Sequence, residues 1–420
     1  VLSPSEIETA RQRLRPAIYC SPCAYSETLS QHTGTRCFIK LENLQMTGSF
    51  KERGAANKLL TLSEAERSRG VITASAGNHG LAVAFHAQRL RIRAVIVMPE
   101  WAPLIKVASA RRHGAEVVQA GADYDEAHAH ARRLSEERRL AFIHPFDDIQ
   151  VIAGQGTIGL ELLEQCPEMD AVVVPVGGGG LIAGVAAALK AVKPTARVIG
   201  VQAAELPAMR RALALGGPVA LPPAATIADG IAVRQVGELP LEITRRLVDE
   251  VVTVDEEEIA NAILLLLEIE KTVAEGAGAT PLAALVNKKV ALQGKRVVLI
   301  LSGGNIDVNV ISRIIERGLV KDGRLVRLTV LLQDRPGALA RLTGLVAEAR
   351  ANILHITHDR AFSTARIGET EVELTLETSG REQIEAVKRH LRDAGYRVEE
   401  ALTFLRKPLD IEEGQPAKDH

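Results

Sequence analysis

The chain reads as an α/β protein with parallel sheets in two lobes, followed by a small ferredoxin-like βαββαβ domain. Two observations carry this reading. Over residues 1 to 320, short apolar β-branched segments alternate with longer amphipathic ones, the order that builds βαβ units. Near residue 320 that rhythm stops at GLVKDGRL, which holds two glycines and reads as a linker. The rhythm beyond it is strand, helix, two strands, helix, strand within about 80 residues, the ferredoxin-like order.

The expected strands of the first part are Arg36–Leu41, Gly70–Ala74, Arg93–Met98, Ala115–Gln119, Ala171–Val176, Arg197–Gln202 and Arg296–Leu301. Several are continuous apolar runs bounded by Gly or Pro, as strands buried on both faces require. Helices are expected over Asn78–Leu90, Leu104–His113, Asp123–Arg138 and Leu181–Val192. In the second part the expected order is Val326–Leu332 (strand), Ala338–Arg350 (helix), Ile353–Asp359 and Glu369–Glu377 (strands), Arg381–Ala394 (helix) and Arg397–Leu402 (strand). The closing RKPLDIEEGQPAKDH is polar and proline-bearing, so residues 404–420 read as a loose tail.

Composition narrows the function classes. The 420 residues are 46% hydrophobic and 25% charged, with a formal net charge of -1. No basic excess points to nucleic acid, and no polybasic stretch points to lipid. No apolar run reaches the ~18 residues of a membrane span, and the first residues lack a signal peptide's apolar core. A soluble cytoplasmic protein is expected. Four cysteines make no disulfide framework. Cys20 and Cys23 form a CxxC pair without a second pair or a βαβ setting, and read as ordinary thiols.

Four loops stand where a strand or turn hands over to a helix, the place where open α/β sheets bind ligands. TGSFKERGA puts Lys51 after Phe50 at a helix start. A helical lysine is ordinarily a solvated cation, but at this end the helix dipole disfavours its charge and favours the free amine that forms imines. SAGNHG, Ser75 to Gly80, follows a strand, and its small residues and helix-start N–H groups suit a carboxylate. Asn78 there could bond a phenolic oxygen as well as cap the next helix. The run Gly177, Gly178, Gly179, Gly180, Leu181 between a buried strand and an apolar helix forms an anion nest. It is neither a dinucleotide fingerprint nor a Walker loop. SGGN places Ser302 at a sheet edge. An imine-forming amine, an amide, a phosphate nest and a hydroxyl together suit pyridoxal phosphate.

With these loops in hand, residues from about 15 to 320 resemble the threonine dehydratase and serine racemase branch of the fold-type-II pyridoxal-phosphate enzymes. SFKERGA, SAGNHG, AGQGTIGLE (Ala153 to Glu161), VPVGGGGL, TIADG (Thr226 to Gly230) and LSGGN occur in order. The resemblance implies a catalytic domain over residues 1–320, with a small lobe over about 46–148 inserted in a large one. It implies that Lys51 holds the cofactor aldehyde and Phe50 packs on its ring. It implies that Asn78 bonds the ring hydroxyl, Gly177 to Leu181 bind the phosphate, and Ser302 faces the ring nitrogen. Ser75, Ala76, Gly77, Asn78 and His79 would hold the substrate carboxylate. Racemases of this branch carry a serine base where this chain has Ala76, so elimination is expected over racemisation. The branch's cation ligands align with Gln202 and Ala208, with Glu205 displaced, so no metal is expected. Residues 325–403 resemble an ACT domain through DRPGAL (Asp334 to Leu339) and the pair Ala351 and Asn352. This implies a homo-oligomer and an amino-acid effector near Asp334, Gly337 and Asn352, with a purely structural dimerisation domain as the alternative; isoleucine or valine is the expected effector because 2-oxobutanoate leads towards isoleucine.

The expected activity is removal of water and ammonia from L-threonine, giving 2-oxobutanoate, and from L-serine, giving pyruvate. A 3-hydroxyaspartate ammonia-lyase and a serine racemase are the enzymatic alternatives. An amino-acid sensor with an inactive core is the alternative of another class, and intact Lys51, Asn78, glycine nest and Ser302 argue against it.

Overall fold

The structure, a computed structural model, describes residues 2–359 and 366–401. The chain divides into two compact units, one running to Val308 and the other starting at Asn309. The strands of the first unit are β1 Cys23–Ser26, β2 Arg36–Leu41, β3 Val71–Ala74, β4 Ala94–Met98, β5 Glu116–Gln119, β6 Ala141–Phe142, β7 Ala171–Pro175, β8 Arg197–Ala203, β9 Glu250–Val254 and β10 Arg296–Leu301. They form two sheets. The six-stranded one has the order β1-β2-β10-β7-β8-β9, and the four-stranded one the order β5-β4-β3-β6. All pairings are parallel except β1 with β2.

The parallel pairing follows from burial. Every residue of β3, β4 and β7 is buried, so neither face of these strands meets water, and helices cover both. The smaller sheet packs Ile72, Val95 and Val97 against Ala127 and Ala131 on one side, while Val71 and Ile96 meet Val83 and Ala87 on the other. The larger sheet buries Val172, Val174 and Ile300 against Ile158, Ile182 and Val185.

The AGQGTIGLE segment lies in the helix Ile149–Gln165. A side chain at Gly154 would stand 2.5 Å from Arg53 O. The glycine thus lets this helix touch the backbone of the helix that Lys51 opens, Lys51–Thr61.

Three strands were not anticipated. β1 and β9 are the two edges of the large sheet, and β6 is an edge of only two residues. Edge strands are half-buried and short, so their apolar pattern is weak. Gly70, read as a strand start, is the C-cap of the helix Glu64–Arg69 with φ +98. The expected linker also changes character. Its first half continues the helix Val308–Lys321, and the turn falls at Gly323 with φ +70.

In the second unit, β11 Leu325–Gln333, β12 Asn352–Asp359, β13 Glu369–Glu377 and β14 Arg397–Glu400 form an antiparallel sheet of order β12-β13-β11-β14. The helices Ala338–Glu348 and Arg381–Asp393 cover one face, with Leu328, Val330, Leu374, Leu342 and Leu391 in a shared core. This is the expected βαββαβ order. Leu402 of the last expected strand and the tail 404–420 lie outside the described residues. Among the described residues no helix is long and apolar enough to cross a membrane.

Candidate active site

The strand ends and helix starts of the first unit converge on one pocket. Its walls include Phe50, Lys51, Asn78, Gly177, Gly178, Gly179, Gly180, Leu181 and Ser302, drawn from four separate loops. The loops are tied directly: Phe50 N–H donates to Ser302 O at 2.9 Å, Gly304 N–H donates to Gly48 O at 2.9 Å, and Ser49 bridges Gly303.

Lys51 opens its helix, with Phe50 as the capping residue. Its Nζ donates to Pro145 O at 2.9 Å and sits 5.3 Å from the Phe50 ring centroid. Burial lowers its pKa to about 8, although the carboxylate of Glu275 pulls the other way. Gly179 caps the helix Gly180–Val192 with φ +96. The N–H groups from Gly177 to Leu181 donate to no acceptor among the described residues. That leaves a cradle of donors at a helix start, the arrangement that holds phosphate. Ser302 is buried at the end of β10.

The SAGNHG loop divides its duties. Asn78 starts the helix Asn78–Arg89 and reaches the cavity. The N–H of Ser75 is committed to Val97 O and that of Gly77 to Ser75 Oγ. Ala76, Asn78 and His79 keep their N–H groups free of acceptors among the described residues. His79 is buried with Nε2 3.1 Å from Ile143 O, and burial, aided by the charge of Lys51, drives its pKa to about 3.

Sequence reasoning missed Glu275 and Phe146, which also line the cavity, and gave no task to Gly230 of the TIADG segment, which joins them there. Glu275 is buried, and both its oxygens accept from Asn78 Nδ2, at 2.8 and 2.9 Å. A lone carboxylate in the small-residue run TVAEGAGAT was the available signal. Gln202 uses both ends of its amide within the fold: Nε2 donates to Val176 O, and Oε1 accepts from Arg210 N–H. Ala208 is buried at a helix start, and Glu205 is exposed. The four cysteines are free thiols, and burial pushes Cys23 up to about 12.

This donor set fits pyridoxal phosphate: an amine of lowered pKa for the aldehyde, an N–H cradle for the phosphate, an amide and a hydroxyl for the ring. Residues 14–303 match the model of the family described as "Pyridoxal-phosphate dependent enzyme". The chain belongs to that family. Residues 326–395 of this pyridoxal-phosphate-dependent enzyme match the ACT domain model. A curated relative, the L-threonine ammonia-lyase of Thermotoga maritima, is 50% identical over 393 residues, covering 94% of this chain and 98% of that one. Among solved structures, threonine deaminase isoform 2 from Solanum lycopersicum is 39% identical, with a TM-score of 0.70 over 74% of this chain and 88% of that one. Maize serine racemase is 35% identical, with a TM-score of 0.71 over 76% and 98%.

Proposed function

We propose that this chain is a carbon–nitrogen lyase that eliminates water and ammonia from L-threonine, giving 2-oxobutanoate, and from L-serine, giving pyruvate. The observation that carries the reading is a single lysine amine of lowered pKa in a cavity whose other walls are an amide, an N–H cradle and a hydroxyl. Bound pyridoxal phosphate supplies the electron sink that makes a substrate Cα–H acidic. Lys51 is the residue that would carry the cofactor and, once freed by the incoming amino group, take the Cα proton as general base. A pKa of about 8 leaves a usable fraction of free amine near neutrality. The donors from Gly177 to Leu181 would hold the phosphate, Phe50 the ring face, and Ser302 the ring nitrogen. A hydroxyl at that nitrogen leaves the ring a weaker electron sink than a carboxylate would, which favours prompt loss of the Cβ hydroxyl as water. Ala76, Asn78 and His79 supply the N–H groups for the substrate carboxylate.

A substrate panel scored for 2-oxo acid tests this reading, with L-threonine expected as the leading substrate. No 2-oxo acid from either L-threonine or L-serine would end it. The likeness to maize serine racemase makes racemisation the competing outcome. Ala76 has no proton to give, so pyruvate is expected to exceed D-serine by at least about tenfold, as loss of one acid–base group implies. Chiral chromatography of an L-serine reaction reads both products. Ala76→Ser is expected to raise D-serine. D-serine forming as fast as pyruvate in the parent enzyme would refute the argument.

The second unit is proposed to bind an amino-acid effector, with isoleucine and valine the first to try, in a homo-oligomer. Gly337 caps the helix Ala338–Glu348 with φ +86, which presents helix-start N–H groups to a carboxylate. Asp334 N–H donates to Gly368 O, and Asn352 Nδ2 reaches Glu377 Oε2 at 3.2 Å. Calorimetric titration of the full chain with each branched amino acid is expected to show a second class of sites. Asp334→Ala is expected to weaken these sites by about tenfold, or ~1.4 kcal/mol. Binding confined to the active site would leave the second unit without a sensing role.

A further inference from the structure

Both oxygens of the cavity carboxylate Glu275 are engaged by Asn78, and its surroundings hold it there. It stands at the N-cap of the helix Gly276–Val286 yet makes no side-chain capping bond. Its own N–H donates to Gly303 O at 3.0 Å, which fixes the backbone. A Cβ at Gly303 would lie 2.4 Å from Glu275 Oε1, so the carboxylate fills the space that glycine leaves.

The sense of the Asn78 amide is also set. Asn305 Nδ2 donates to Thr47 O at 2.7 Å and to Asn78 Oδ1 at 2.8 Å. A main-chain carbonyl cannot donate, so Asn305 cannot reverse. Asn78 therefore turns its oxygen to Asn305 and its NH₂ to Glu275 and the cavity. The charged groups acting on Glu275 are Asp229, Lys106 and Lys51. Lys106 is paired with Asp229 at 2.9 Å, and Lys51 is the group that would be consumed in holding the cofactor.

We propose that Glu275 is a proton-holding positioning residue: it takes a proton from solvent when a ring hydroxyl oxygen comes to Asn78, so cofactor loading is coupled to proton uptake. The inference rests on the proposed placement of that hydroxyl at Asn78. The reason is electrostatic. An anionic ring oxygen and an ionised carboxylate sharing one amide inside a buried cavity repel, and such a site keeps one of the two neutral. Burial has already raised Glu275 to about 7, although hydrogen bonds from Asn78 and from the Asn305 N–H pull it down, so the proton is added at little cost. The sign follows. Loading raises the Glu275 pKa further, so affinity is level below about pH 7 and falls as pH rises above it.

Pyridoxine phosphate is the probe. It carries the same ring hydroxyl and phosphate but no aldehyde, so no bond to Lys51 forms. Calorimetric titration of the full chain near pH 8, in two buffers of different ionisation enthalpy, is expected to show uptake approaching one proton. Above pH 7 the affinity is expected to fall by up to about tenfold per pH unit, the limit for one linked proton. Glu275→Gln, which keeps the shape, is expected to bind the probe with most of that slope and uptake gone, and Glu275→Asp to retain them. Unchanged slope and uptake in Glu275→Gln would assign the proton to Lys51 or the phosphate and overturn the inference. Asn78→Ala separates the two levels. If it binds the probe as the parent does, the hydroxyl is not at Asn78, and the placement fails along with the inference. If it weakens binding while Glu275→Gln keeps the parent slope, the placement stands and the proton coupling alone is wrong.

Discussion

Lys51→Ala is expected to lower turnover by more than ~10⁴-fold, because loss of a general base alone costs ~10²–10⁴ and the same change removes the amine that would anchor the cofactor. The fold should survive. Among the described residues its side chain donates to Pro145 O, and the helix it begins is held by the buried residues Arg53, Ala55, Ala56 and Leu59. Release of 2-oxo acid from L-threonine measures the loss, and a circular dichroism melt checks the fold. The yellow absorbance of the bound cofactor should vanish in the same variant. Turnover within about tenfold of the parent enzyme would remove Lys51 from both roles.

Arg53→Met is expected to cost roughly 3–5 kcal/mol of stability, the range for breaking a buried ion pair. Arg53 is 1% exposed, and all five of its N–H donors are used. Nε and Nη2 grip Glu42 at 2.8 and 2.7 Å; Nη1 and Nη2 grip Glu161 at 2.6 and 2.8 Å; Nη1 also reaches Thr157 Oγ1 at 3.1 Å. Lys40 joins the cluster, donating to Glu161 Oε2 at 2.5 Å, Ser21 O at 2.6 Å and Gln165 Oε1 at 2.9 Å. Two cations thus balance two carboxylates. Burial works against the Glu42 charge, but Arg53 and its hydrogen bonds hold that carboxyl below its ordinary range. Removing Arg53 strands Glu42 and part of Glu161 in the interior. Arg53→Lys should recover only part of the loss, since an ammonium cannot make both forked contacts. A melting temperature lowered by on the order of 10 °C is expected for Arg53→Met. A shift within about 2 °C would show that the cluster relaxes around the gap. Glu42 adds an acid limb. Its folded pKa is depressed, so its contribution is present above about pH 4.5 and is lost as pH falls through the folded value.

The large features of the fold were legible because buried parallel strands leave long apolar runs. Ala94–Met98, Ala171–Pro175 and Arg296–Leu301 announce themselves as AVIVM, AVVVP and RVVLIL. The edge strand Cys23–Ser26 does not, because only Ser26 in it is buried. The site was legible where motif chemistry is local. The amine, the glycine cradle and Ser302 each sit in a loop of distinctive composition, and the structure brings all three to one cavity. Glu275 was invisible because its partner, Asn78, lies 197 residues away. Nothing in a run of small residues says which distant amide a carboxylate will meet. The buried cluster of Lys40, Glu42, Arg53 and Glu161 was hidden for the same reason. Charged residues are ordinarily solvated, and only the three-dimensional packing turns these inward.

The place of β10 in the large sheet has a consequence for how the molecule is born. This strand lies between β2 and β7, pairing Val297 with Cys37 on one side and Ala171 on the other. A ribosome must therefore release Leu301 before the middle of that sheet can be filled. Until then β2 and β7 hold unmatched backbone edges, the kind of exposure that invites aggregation during synthesis. The β3–β6 sheet has no such wait, since all four of its strands are made by Phe142. The nascent chain thus carries a finished small sheet while its larger one stands open, and the last strand to close the sheet is also the one that delivers Ser302 to the cavity.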